Sequence, residues 1–223
     1  MKTSYVVKHI AGSLVFFLII FICAGRIDYL PGLIYLAIGI IMTILNYTVL
    51  KPGSELLAER GKPGEGVKKW DKIILLASLL FTIAMYVVAG LDSGRYHWSP
   101  DFLLLLPVIG IIFTISGQLL FLTAQKQNKF FSSTVRIQSE REHTVCDTGL
   151  YKIVRHPAYL GSIIQAIGFP LLFESLWSII PAALLVVIHF IRTFLEDRAL
   201  KEELSGYLDY SRRIRYRVIP GIW

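Results

Sequence analysis

The sequence predicts an all-α fold, a polytopic transmembrane helix bundle of about six spans, closed by a C-terminal transmembrane hairpin and a cytoplasmic tail helix. Three observations carry this. Of 223 residues, 54% are apolar and only 17% charged, where a soluble domain has about a quarter charged. The apolar residues fall into runs that can cross about 30 Å of hydrocarbon, which takes roughly 20 helical residues. Lys and Arg collect between alternate runs, as they do on the cytoplasmic side of membrane proteins.

Four runs are plain, near 9–25, 30–50, 71–91 and 102–124. The first follows Lys2 and Lys8 as a signal peptide would, but its length and the span after Cys23-Ala24-Gly25 favour a retained helix. Segment 51–69 sets Pro52-Gly53, Gly61, Pro63-Gly64 and Gly66 among charges and reads as a loop. A further apolar stretch, about 158–192, is interrupted by Gly168-Phe169-Pro170 and by Glu174-Ser175. It divides into two short antiparallel spans with a tight turn at about 173–176. Pro107, Pro170 and Pro181 lie within spans and predict kinks, which a bundle tolerates when neighbours satisfy the freed carbonyls. From Glu196 to Tyr210, Ala199, Leu200 and Leu204 recur at helical spacing, which predicts the tail helix over the cytoplasmic end. The chain thus divides into N-terminal transmembrane helices over 1–125 and a core over 126–223.

With the N-terminus inside, 21 of the 23 Lys and Arg residues fall on one side and only Arg26 and Arg95 on the other. Both termini are then cytoplasmic, and the net charge of +7 is mainly a topology signal. Trp70, Trp98 and Trp177 stand at span ends, where amphipathic rings favour the headgroup layer. The arginines at 212, 213, 215 and 217 lie beside a membrane, so anionic lipid is a simpler partner than nucleic acid. Cys23 and Cys146 make neither a disulfide framework nor a metal site. His97 near Asp92 and Asp101 lacks metal spacing, and no Walker, Gly-x-Gly-x-x-Gly or Gly-x-Ser-x-Gly sequence is present.

Most residues able to do chemistry lie in loop 125–157 and in the tail after Arg192, on the same side. In Arg155-His156-Pro157, proline suits the first position of a helix, so His156 is N-cap-like and Pro157 opens span five. Free N–H groups and the helix dipole there, with Arg155 alongside, suit a carboxylate or phosphate. The same residues also serve as plain interface anchors. Arg192 and Glu196, four apart, share a helical face. They read either as an intrahelical ion pair, worth a few tenths of a kcal/mol, or as ionic groups turned toward a cavity at the hydrocarbon edge. The tight outer turn brings His156 and Arg192 to one depth on adjacent helices. Tyr207 and Tyr210 read as a lid or as interfacial anchors. Asn46, Gln118, Gln165 and His189 are single polar residues in spans, for which interhelical hydrogen bonding is the default.

In order along the chain, His143-Thr-Val, Thr148-Gly-Leu-Tyr151, Arg155-His-Pro-Ala-Tyr159-Leu-Gly161, Arg192-x-x-x-Glu196 and Gly206-Tyr-x-x-Tyr210 resemble the isoprenylcysteine carboxyl methyltransferase family. More loosely they resemble the phospholipid methyltransferases. The resemblance covers roughly 130–223 and implies an integral-membrane methyltransferase that uses S-adenosylmethionine without a Rossmann fold. It implies cofactor contacts at His143, Thr144, Val145, Cys146 and Tyr151, and at His156, Pro157, Ala158 and Tyr159 with Arg155 beside them. A further contact falls to Arg136 or its rival Gln138. Arg192 and Glu196 are implied to face the methyl acceptor. Arg136 stands where the family has glutamine, and the link from Glu196 to Tyr207 is a residue short.

Methyl transfer from a sulfonium is an in-line displacement that needs alignment more than acid or base chemistry, and Arg192 suits a carboxylate acceptor as a forked donor. The expected partners are a lipophilic or lipidated acceptor and membrane lipids. Two other readings stand beside this one. One is a phospholipid or amine N-methyltransferase; the other is a non-catalytic scaffold or small transporter.

Overall fold

A computed structural model describes residues 2–50, 55–61 and 65–223. Lys51, Lys62, Pro52-Gly53 and Pro63-Gly64 lie outside these, as do the side chains of Lys2 and Lys8. The chain is all-α: α1 (Lys2–Ala24), α2 (Leu30–Leu50), α3 (Glu55–Gly61), α4 (Lys69–Ala89), α5 (Leu105–Gln127), α6 (Pro157–Leu172), α7 (Ile179–Glu203) and α8 (Tyr207–Arg213). A π-helical turn, Gly90–Tyr96, prolongs α4. Among the described residues, four helical segments are long and apolar enough to cross a membrane: 30–50, 69–96, 105–127 and 179–203. Ile10–Ala24 and Pro157–Leu172 are shorter apolar helices. The protein is therefore a multi-pass integral-membrane protein. Its outward faces carry exposed Ile40, Ile44, Ile73, Leu76, Leu80 and Leu104, which in hydrocarbon cost nothing to leave uncovered.

Three local expectations change. The 51–69 segment is not all loop, because Glu55-Leu-Leu-Ala-Glu-Arg, all good helix formers, makes α3. Pro107 and Pro181 do not kink their helices. Each is the third residue of its helix, in the first turn, where no intrahelical N–H is required. Pro170 lies inside α6, and its carbonyl accepts the Ser175 N–H at 3.0 Å as the helix closes. The tail helix is also split. α7 runs on to Glu203, the chain breaks at Leu204–Gly206 with Gly206 at φ 79°, and α8 follows.

Two devices position α6 and α7. On α5, Gly110 and Gly117 face Gly168 and Gly161 of α6 so closely that a Cβ on Gly117 would sit 2.6 Å from the Gly161 carbonyl oxygen, and the reverse holds for Gly161. Small residues let membrane helices pack backbone to backbone in this way. At the far end, fully buried Asp92 accepts hydrogen bonds from Ser99 N–H (2.8 Å), Ser99 Oγ (2.6 Å) and Ser175 Oγ (2.6 Å). That carboxylate pins the α6–α7 turn to the end of α4. The core beneath it packs Ile20, Ala24, Tyr86, Ala89, Phe169 and Phe173.

Candidate active site

The loop 128–156, the start of α6, the last turns of α7 and α8 enclose a cavity of about 250 Å³. Local contacts shape the loop. Gly149 takes φ 55°, a left-handed value that glycine adopts without strain. Leu150 N–H then donates to Gln127 Oε1 at 2.8 Å, and the Tyr151 hydroxyl donates to the Ala124 carbonyl at 3.3 Å. His143 packs against Phe130 with ring centroids 4.4 Å apart and planes tilted by 34°, and its Nδ1 accepts the Gln138 N–H at 3.3 Å. Burial, with the cations Arg136 and Arg141 nearby, pushes the His143 pKa down to about 4. The ring is therefore a neutral wall at physiological pH.

Arg136 joins the loop to α3. Its Nε and Nη2 donate to Glu59 at 2.9 and 2.8 Å, and Nη2 also reaches Glu140, so these carboxylates raise its pKa further. Gln138 is equally committed: Nε2 donates to the Phe130 carbonyl and Oε1 accepts from Arg141, both at 2.6 Å. Of the residues singled out from sequence, Arg136, His143, Thr144, Val145, Cys146, Tyr151, Arg155, His156, Ala158, Tyr159, Arg192 and Glu196 border the cavity. Gln138 and Pro157 are buried outside its lining.

The start of α6 differs from expectation. Pro157 does open the helix behind His156, but the Arg155 and His156 N–H groups are already taken, by the Tyr216 and Arg217 carbonyls at 3.0 and 2.8 Å. Nor is the Arg155 guanidinium free: it grips Asp197 through Nε (2.7 Å) and Nη2 (3.1 Å) and donates to the Ile214 and Arg215 carbonyls. Buried Asp197 also receives Arg217, Lys201 and the Tyr207 hydroxyl, at 3.0, 2.8 and 3.1 Å. This cluster ties the returning C-terminal segment to α6 and α7. Tyr207 closes the cavity wall, its hydroxyl 3.2 Å from His156 Nε2.

Arg192 and Glu196 of α7 do not pair with each other. Arg192 donates through Nε and Nη2 to Asp71 of α4, at 2.7 and 3.2 Å, and through Nη2 to the Ser133 carbonyl at 3.0 Å. It stacks over the Tyr159 ring at 5.6 Å. Glu196 Oε2 instead accepts the Tyr159 hydroxyl at 2.6 Å. Asp71 also takes the Val135 N–H at 2.8 Å, so one carboxylate orients both Arg192 and the loop. Sequence reasoning missed Asp71 and Asp197. The available signal was the cost of a carboxylate in or beside an apolar helix, which requires a partner.

Thr134 Oγ1 and His189 Nδ1, both buried and both from residues on the cavity, lack hydrogen-bond partners. Aromatic faces of Tyr151, Tyr159, Tyr207 and Phe130 line it too. The residues therefore fit a ligand with a flat heterocycle, a cationic centre held by aromatic faces and several polar groups. Among the described residues no cluster of His, Cys, Asp or Glu could hold a metal.

Residues 108–204 match the model of the isoprenylcysteine carboxyl methyltransferase (ICMT) family. The matched stretch, somewhat under half of the chain, resembles that family. Among relatives, a protein-S-isoprenylcysteine O-methyltransferase of Saccharomyces cerevisiae is 30% identical over 115 residues, 48% of this chain and 46% of that protein. The Arabidopsis thaliana enzyme B is 28% identical over 152 residues, 66% of this chain and 73% of the relative. A Xenopus laevis relative is 28% identical over 160 residues, covering 52% of its own length. The matches thus span about half the length of the yeast and frog proteins. Among solved structures, the eukaryotic intramembrane Ras methyltransferase ICMT superposes with a TM-score of 0.53 at 18% identity, over 93% of this chain and 73% of that one, a likeness of fold. S-adenosylmethionine is the cofactor expected for that family.

Proposed function

We propose that this chain transfers a methyl group from S-adenosylmethionine to a lipophilic acceptor, most like carboxyl O-methylation of a prenylated cysteine. The observation that carries the reading is the convergence, on one cavity, of the loop 143–146, the α6 start and the polar turn Arg192–Glu196. His143, Thr144, Val145, Cys146, Tyr151, His156, Ala158 and Tyr159 hold the cofactor, with Pro157 setting the helix start behind them; when bound, it supplies an electrophilic methyl group on a sulfonium. Arg192, fixed by Asp71, offers its remaining donors to an acceptor carboxylate. Tyr159, held by Glu196, aligns the reactants. The core over 126–223 is completed by α3 and α4, which supply Glu59 and Asp71 from the 1–125 region.

Six crossings, with α6 and α7 as a membrane hairpin, follow from the apolar lengths, and the Lys and Arg distribution sets both termini and the site in the cytoplasm. The soluble cofactor then enters from the cytosol and the acceptor arrives between helices. A second reading has one observation in its favour. Asp71 and Glu196 together outnumber the single charge of Arg192, and that balance suits an amine acceptor as well as a carboxylate.

Calorimetry with S-adenosylhomocysteine in detergent tests the cofactor site; absence of binding by folded protein would return the scaffold or transporter reading. Incubation with labelled cofactor and total host lipid, followed by base, separates the acceptors. A carboxyl methyl ester releases its label in base, and an N-methyl product keeps it.

A further inference from the structure

The outward face of α7 changes character along its length. Val187, Ile191 and Phe194 are exposed, at 53, 47 and 49%, and Arg198 and Lys201 continue the same spacing. At 3.6 residues per turn these five positions form one stripe. His189, Glu196 and Leu200, which border the active-site cavity, fall on the opposite face. None of the five lines that cavity or the void among α1, α2, α5 and α6 that Asn46, Gln118 and Gln165 border. An apolar stripe that ends in cations has the order of an anionic phospholipid, with tails in hydrocarbon and a phosphate at the interface.

The cationic end is more than a solvated fringe. Lys201 Nζ and Arg217 Nε contact the same oxygen of Asp197, Oδ2, at 2.8 and 3.0 Å, while Arg155 Nε takes Oδ1 at 2.7 Å. One carboxylate therefore faces three cations. Arg155 is buried at 3% exposure, but the side chains of Lys201 and Arg217 keep 30% and 25%, so the unbalanced positive charge is the part that a ligand can reach. The neighbouring carboxylates are engaged: Glu203 with Lys68, and Glu202 with Arg198 in an exposed pair, which contributes little and leaves Arg198 usable. The Arg217 guanidinium lies 5.7 Å from the Phe194 ring centroid and 4.9 Å from that of Trp223. Aromatic faces thus hold it where the apolar stripe meets the charged one.

We infer that this face of α7 binds an anionic phospholipid, its acyl chain along Val187, Ile191 and Phe194 and its phosphate at Arg198, Lys201 and Arg217, and that the lipid braces the active site. The brace runs through the backbone. The Arg217 carbonyl accepts the His156 N–H at 2.8 Å and the Tyr216 carbonyl accepts the Arg155 N–H at 3.0 Å, and His156 and Arg155 border the cavity. A phosphate that holds Arg217 therefore holds the cavity wall, and a bound cofactor tightens the lipid in return. This lipid is a resident of the protein and not its methyl acceptor. Only its coupling to the cofactor rests on the methyltransferase reading.

The test uses the full-length protein in nanodiscs of phosphatidylcholine alone or of equimolar phosphatidylcholine and phosphatidylglycerol. Native mass spectrometry of protein released from the mixed discs counts the lipids retained, and calorimetry measures S-adenosylhomocysteine affinity in each disc. Wild type is compared with Arg198→Gln/Lys201→Gln and with a control of equal charge loss, Arg212→Gln/Arg213→Gln. Wild type and the control should retain phosphatidylglycerol in preference to phosphatidylcholine. A cation near an anionic surface favours binding by about fivefold, so the Arg198→Gln/Lys201→Gln variant should lose about fivefold or more of that preference. S-adenosylhomocysteine should bind wild type about fivefold tighter in the mixed discs, the lower end of ordinary coupling between sites, and the difference should vanish in the same variant.

Retention without a phosphatidylglycerol preference, a preference unchanged in Arg198→Gln/Lys201→Gln, or one lost equally in the control would overturn the site. Tighter S-adenosylhomocysteine binding on adding inorganic phosphate to phosphatidylcholine discs would give the cations to a soluble anion and overturn the lipid. Equal affinity in the two discs would overturn the brace. No S-adenosylhomocysteine binding in either disc would overturn the methyltransferase reading, and lipid retention, which needs no cofactor, would still decide the site. Should the double variant not fold, Lys201→Gln alone gives the same comparison.

Discussion

Arg192 of α7 and Asp71 of α4 form a two-point ion pair, Nε to Oδ1 at 2.7 Å and Nη2 to Oδ2 at 3.2 Å, with the carboxylate fully buried. A pair of this kind fixes the fork of the guanidinium in one plane. It also makes the arginine depend on a helix more than a hundred residues earlier in the chain. Asp71→Asn should keep the shape but loosen the fork. Expected is a fall of about tenfold or more in methyl transfer, on the order of 1.4 kcal/mol of transition-state alignment, with S-adenosylhomocysteine affinity nearly unchanged. Arg192→Ala should abolish transfer while retaining cofactor binding, and normal turnover in that variant would remove Arg192 from the site. Paired calorimetry and labelled-methyl assays read both.

The Tyr159 hydroxyl spans from α6 to Glu196 of α7 at 2.6 Å. Tyr159→Phe removes the donor and keeps the ring under Arg192. A hydrogen bond to a charged group contributes about 1.5–3 kcal/mol, so kcat/KM should fall roughly ten- to a hundredfold while the protein remains folded. An unchanged rate would show that Glu196 needs no positioning from α6.

Asp197 gathers Arg155, Arg217, Lys201 and Tyr207. Replacing it by alanine strands buried Arg155 without its counter-charge, a loss of about 3–5 kcal/mol when a buried pair is broken from one side. The C-terminal segment 214–217 should then detach from α6, and limited proteolysis should cut there faster than in wild type. Equal protection would argue that the carbonyl contacts alone hold the segment.

His143 provides a pH signature. Its pKa falls from 6.5 to about 4 on folding, so between these values the unfolded chain binds more protons than the folded one, and stability rises with pH. The contribution is complete above about 6.5 and is lost as pH falls toward about 4. Melting temperatures of wild type and His143→Gln, compared at pH 7.5 and 4.5, should converge at the acid end. A constant difference would contradict a buried neutral imidazole.

The α5–α6 seam predicts a packing result. Gly117→Val and Gly161→Val each force a side chain onto the facing backbone and should destabilise the bundle severely, as overpacking does. Gly12 has nothing within 4 Å of its Cβ position, so Gly12→Ala serves as the tolerated control. Thermal melts in one detergent compare the three.

Several features were legible in the residues alone. The run lengths, the turn at Glu174-Ser175 and the proline at 157 each reflect a local property, hydrocarbon thickness or backbone geometry, that a short window of chain expresses, whereas Gly168-Phe169-Pro170, which reads as an interruption, lies inside α6. The ordered motifs from His143 to Tyr210 named twelve residues that border one cavity. Less legible was α3, hidden between Pro-Gly pairs that read as loop, and the first-turn prolines, whose effect depends on where each helix begins.

Pairings were not legible at all. Arg192 followed by Glu196 invites an intrahelical bond, yet each found its partner on another helix. Asn46, Gln118 and Gln165 look like isolated polar residues in separate spans, and only the packing of α2, α5 and α6 collects them around one void. Residue order determined that the chain enters a membrane as helices and which loop carries its chemistry, because apolar length and motif are properties of contiguous residues. The tertiary fold decided which charges neutralise one another and where polar groups are left for a ligand. A buried ion pair answers to distances between helices, and those distances are set by the glycine contacts and the α6–α7 turn together.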